Sequence, residues 1–73
     1  MYDKAKIEHA VLALLGAFEF DNGRVWKRYD FEVMKALHAQ GLITDPQRRA
    51  ESVHLTEEGL AKGRAAAQTW FGQ

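Results

Sequence analysis

GLITDPQRRAESVHLTEEG, residues 41–59, decides how the rest of the chain is read. Gly41 stands where the end of a helix wants a residue at positive φ, and Leu42 supplies the apolar contact that customarily follows. Two short runs, LITD (42–45) and SVHL (52–55), are joined by PQRRAE, so the spacing predicts a loose hairpin and not a two-residue turn. Pro46 has no N–H to give to a ladder and suits the edge of the loop. Thr56 is a predicted N-cap, with Glu57 and Glu58 near the positive end of the following helix dipole. The stretch closes one helix, carries Arg48 and Arg49 at a loop tip, and opens another helix.

Upstream, Asp30 is a predicted N-cap for a helix running to Gln40, whose apolar face is Phe31, Met34, Leu37 and His38 with Val33 beside them. From Asp3 to Phe18 the spacing of Ile7, Val11, Leu14, Leu15 and Phe18 predicts a first helix with those residues turned inward, widened by Ala10 and Ala13. Asp-Asn-Gly at 21–23 is a turn signal, because Asn and Gly tolerate positive φ. RVWKRYD (24–30) reads as a short strand or extended segment with Val25 and Trp26 near the core. Downstream of Thr56, the residues expected to line one side of the last helix are Leu60, Gly63, Ala67, Trp70 and Phe71. The order is helix, extended segment, helix, hairpin, helix, which predicts an α+β fold in one domain over residues 1–73.

A chain of 73 residues has only a modest core, and without cysteine it gains neither a disulfide nor a thiolate metal site. A dimer interface is then a reasonable source of extra burial. Ten basic and ten acidic residues cancel, which argues against a dedicated polycation while leaving room for a local patch. The apolar run AVLALLGAF (10–18) is too short to span a bilayer, and the acids around it do not suit a signal peptide. The expectation is a cytoplasmic protein with no membrane partner.

The run LHAQGLI, a hairpin, and then LTEEG resemble the recognition helix, wing and exit helix of winged-helix repressors of the multiple-antibiotic-resistance and PadR types. That resemblance covers Asp30 to Phe71. It implies a reduced winged-helix-like fold, because only about eleven residues separate Phe18 from the second helix, where those families place another helix. Arg24, Trp26-Lys27, Asp30, Met34, Leu37-His38, Gly41, Ile43, Asp45-Pro46, Ser52-Val53, Leu55-Thr56 and Glu58-Gly59 are similar, over nearly the whole chain, to a family of small bacterial domains of unknown function. This second resemblance implies a stand-alone bacterial domain and carries no activity.

As a wing, the 46–51 loop would contact DNA backbone while helix 31–40 faces the groove. The candidate nucleic-acid contacts are Arg28, Lys35, Gln40, Arg48 and Arg49. From Arg24 through Arg49 there are six basic and three acidic residues, a local excess on a neutral chain. The bland alternative is a solvated polar loop. In the last helix Ala67, Trp70 and Phe71 are candidates for a homodimer interface, the alternative being that this helix only packs back on the first.

Chemistry is poorly represented. His9, His38 and His54 have no ligand spacing, so no metal or other cofactor is expected. Ser52 and Thr56 lack a neighbouring base, and the isolated glycines make no phosphate cradle. We therefore expect no catalytic residues and no small-molecule substrate. Trp26, Tyr29 and Phe31 interleave with Arg24, Lys27 and Arg28 and would suit stacking on single-stranded bases. The need of a small domain to bury its largest apolar groups favours a core role for Trp26 and Phe31 instead.

Overall fold

One side-chain oxygen starts each helix. In the computed structural model, which describes residues 1–73, the order is α1 (Lys4–Phe18), β1 (Arg24–Trp26), α2 (Phe31–Ala39), β2 (Ser52–His54) and α3 (Glu57–Phe71). The Asp3 carboxylate accepts from the Ala5 and Lys6 amides, Asp30 from Val33, and the Thr56 hydroxyl from Gly59. Each bond satisfies a donor that the first helical turn leaves open. At the end of α2, Gly41 has φ +77°. There the Gly41 amide donates to His38 and the Leu42 amide to Leu37, closing the turn as the sequence predicts. Leu37 and Leu42 are both buried.

After α1 the chain reverses through Asp21, Asn22 and Gly23, all at positive φ, and β1 then lies antiparallel to β2 with Val25 opposite Val53. The two strands are therefore separated in sequence by α2. The expected pairing of LITD with SVHL persists on the other edge of β2, narrowed to a single Ile43–Leu55 bridge and the Thr44 amide donating to His54. It stops there because the Thr44 hydroxyl, in place of a backbone carbonyl, accepts from the His54 amide. Asp45 then folds the chain away by accepting from the Gln47 amide. Three helices and a two-stranded antiparallel sheet make a small α+β fold.

The core is Leu12, Leu15, Val25, Met34, Leu37, Leu42, Ile43, Val53 and Leu55. Two helix faces differ from their predicted orientation. On α1 the buried residues are Leu12, Ala13 and Leu15, while Ile7 and Phe18 are 39% and 69% exposed. On α3 the buried residues are Gly59, Gly63 and Ala66, while Trp70 and Phe71 lie about half exposed. The cause is the α1–α3 seam. A Cβ added to Gly63 would lie 3.3 Å from the Gly16 Cα, and one added to Gly16 would fall on the Gly63 carbonyl. Backbones meet there, so the small faces turn inward and the large side chains are carried to the rim.

Trp26 and Phe31 are corrected likewise, at 46% and 49% exposed. Neighbouring strand residues point to opposite faces, and only the Val25 face of β1 is covered by the core. Trp26 instead packs on Phe20 with ring centroids 5.0 Å apart, and the Arg28 guanidinium lies 5.1 Å from its ring centroid. The molecule is a slab of 35 × 33 × 18 Å. No helix is long and apolar enough to cross a membrane.

Candidate nucleic-acid and partner surfaces

The 45–51 loop is held by a side chain distant in sequence. Lys27, just past β1, donates from Nζ to the Pro46 carbonyl at 2.8 Å and to the Arg48 carbonyl. The Lys27 amide also donates to the Glu51 carbonyl at 3.0 Å. Pro46 is buried beneath, and Arg48 and Arg49 stand exposed beyond the clasp. Local spacing gave no signal for this role of Lys27, because its acceptors are backbone atoms about twenty residues away.

Arg28 follows Lys27 and is exposed over Trp26. Lys35 lines a shallow hollow with His38, Asp45, Pro46 and Gln47, so it borders the base of the loop. Its ammonium is 3.6 Å from Glu32 and 5.6 Å from the Phe31 ring centroid. Gln40 is not brought to this group: at the far end of α2 its amide donates to the Glu8 carboxylate of α1 at 2.9 Å. Among the ten Lys and Arg side chains, Arg24, Lys35, Lys62 and Arg64 pair with acids. Arg28, Arg48 and Arg49 pair with none, which leaves three guanidinium groups beside one loop open to an anion.

The other candidate surface lies at the end of α3. Trp70 donates its indole N–H to His9 Nδ1 at 2.7 Å, with the rings 6.2 Å apart. This bond ties the end of α3 to the first half of α1 and leaves one flank of the indole to solvent. Phe71 is exposed and Ala67 half-buried. His38 is half-buried in α2 and His54 exposed on β2. No three His, Asp or Glu side chains converge in a way that would hold a metal ion.

Comparison with known proteins gives the family without an activity. The family model described as "Domain of unknown function (DUF6429)" matches residues 3–73. The chain is similar to the uncharacterized protein y4hR of Sinorhizobium fredii (strain NBRC 101917 / NGR234). The two are 42% identical over 69 residues, which cover 94% of this chain and 93% of the relative. No solved structure matches.

Proposed function

The chain belongs to this family of domains of unknown function, and we propose that it is a small non-enzymatic binding domain whose 46–51 loop contacts DNA phosphates. The observation that carries this reading is the unpaired trio Arg28, Arg48 and Arg49 beside a loop whose backbone is held by Lys27. A clasped loop loses less conformational freedom on meeting a phosphate than a free one, and guanidinium groups bind phosphate oxygens with two parallel bonds. Lys35, at the base of the loop, adds charge on the side of α2, and the order of α2, loop and α3 agrees with a helix, wing and exit helix. Gln40, bonded to Glu8, takes no part. The contact is one of charge, so the reading implies weak discrimination between sequences.

A labelled random-sequence duplex titrated at 50 and 200 mM salt tests it. Binding in the micromolar range at low salt is expected, falling steeply as salt rises. Removing both loop arginines (Arg48→Ala/Arg49→Ala) should reduce the slope of log K against log salt by about 2, near 0.9 for each phosphate no longer neutralised. Wild type that fails to bind at low salt would sink the reading.

A second reading, self-association, is favoured by the half-exposed Trp70 and Phe71 at one helix end beside Ala67. Adjacent exposed aromatics of this size mark contact surfaces more often than isolated ones do. Sedimentation velocity across micromolar to several hundred micromolar protein should show a dimer, and a monomer throughout would end this reading.

A further inference from the structure

Between Ala10 and Phe18, α1 contains no polar side chain. A helix apolar on every side belongs in an interior, yet α1 is covered on only part of its circumference. Leu12 and Leu15 enter the core, Val11 packs against it, and Ala13 and Gly16 lie along the α3 seam. Exposed or half-exposed are Ile7, Ala10, Leu14, Ala17 and Phe18, which recur at helical spacing as one stripe. A solvated face would carry Lys, Glu or Gln at those positions.

Charge at the ends of α1 is the second observation. Behind the Asp3 cap its first turn carries Lys4 and Lys6, while Glu19 and Asp21 follow its last turn, which carries no base. At its end the acids oppose the helix dipole, which favours bases there. Lys4 and Lys6 have no ion-pair partner. Asp21 has a side chain 72% exposed with a single contact, at 4.0 Å, to Arg24. An antiparallel copy of α1 would offset this arrangement, bringing lysines to carboxylates at both ends.

We propose that the outward stripe of α1 is the centre of a two-fold homodimer, packed antiparallel on the same stripe of a second copy. This rests on the self-association reading and moves its centre from the end of α3 to α1. An axis near the middle of α1 sets Ile7 of one copy against Phe18 of the other, with Ala10 and Leu14 between them, and Lys4 opposite Asp21. The stripe is self-complementary in bulk and charge, as a two-fold interface requires. A net charge of zero removes the general repulsion between copies.

On α3, the hollow shared by His9, Leu12, Lys62, Ala65, Ala66 and Thr69 marks one edge of the seam. Helical spacing sets Ala67 and Phe71 on the other edge, and with Gly63 against Gly16 and Trp70 bonded to His9 they lie beside the first half of α1. The α3 residues thereby extend the α1 stripe at its margin.

Sedimentation velocity on wild type, Ala17→Glu and Phe71→Ser tests this, with circular dichroism to show that all three fold. Position 17 is exposed in one copy, so the new carboxylate leaves the fold intact. Wild type should dimerise, Ala17→Glu should weaken the dimer about tenfold or more by trapping an unpaired charge, and Phe71→Ser should weaken it less. Because the chain has no cysteine, mixing Ile7→Cys with Phe18→Cys should give the mixed disulfide in preference to either symmetric one. A dimer that survives Ala17→Glu but not Phe71→Ser would overturn the α1 face and keep the α3 end. Preference for symmetric disulfides would overturn the antiparallel arrangement, and a wild type monomeric throughout would overturn both self-association readings.

Discussion

The α1–α3 seam and the 45–51 loop are held by opposite means. In the middle of the seam two glycine backbones touch, so shape decides the fit there, and the polar contacts, Trp70 to His9 and Arg64 to Glu19, stand toward its two ends. At the loop a single lysine gathers carbonyl oxygens and a buried proline fills the space beneath. A seam of this kind tolerates no added atom, while a clasped loop tolerates most changes at its tip.

The sharpest way to break this contrast is Gly63→Val. The added methyl groups meet the Gly16 Cα and the Leu12 carbonyl, which are backbone atoms that can yield only if the helices part. A cost of about 3 kcal/mol is expected, at the upper end for overpacking and a large share of what so small a core supplies. Thermal or urea denaturation would measure it, and a variant as stable as wild type would show that the seam is loose. Lys27→Met removes the clasp and keeps the aliphatic stem. It should cost about 1 kcal/mol, the usual net worth of such hydrogen bonds, with faster amide exchange at 47–50 and no change in α1. Unchanged exchange in the loop would mean that Pro46 holds it unaided.

An effect as small is expected at Trp26. A buried tryptophan replaced by alanine costs about 3–5 kcal/mol, but this one is nearly half exposed and lies against Phe20 and Arg28. Trp26→Ala should cost about 1 kcal/mol, the scale of one aromatic pair. A loss near that of Gly63→Val would show that the Trp26 face of β1 is covered after all.

Helix starts and stops were legible in the sequence because they depend on neighbours three or four residues away. Asp3, Asp30 and Thr56 cap the three helices, and Gly41 with Leu42 closes α2, as their spacing predicts. The inward faces of α1 and α3 were not legible in the same way. Counting large apolar residues selects Ile7, Phe18, Trp70 and Phe71, whereas a close helix pair selects the smallest ones, and no local pattern says that Gly16 will meet Gly63. The strand partner of β2 was hidden for a related reason: RVW and SVH are separated by an entire helix. Of the candidate contacts, Arg48 and Arg49 stand at the loop as expected. The bond of Gln40 was not legible because its partner, Glu8, lies on another helix.

The turn between α1 and β1 also has a chemical lifetime. An asparagine followed by glycine ages when the glycine nitrogen attacks the asparagine side-chain carbonyl, closing a succinimide that reopens as aspartate or isoaspartate. At Asn22 that nitrogen is engaged: the Gly23 N–H donates to the Glu19 carboxylate at 2.7 Å, and losing its proton beside a negative charge is unfavourable. The folded chain thus slows the reaction that its own sequence invites. Isoaspartate accumulating at position 22 would record how long the end of α1 has spent open.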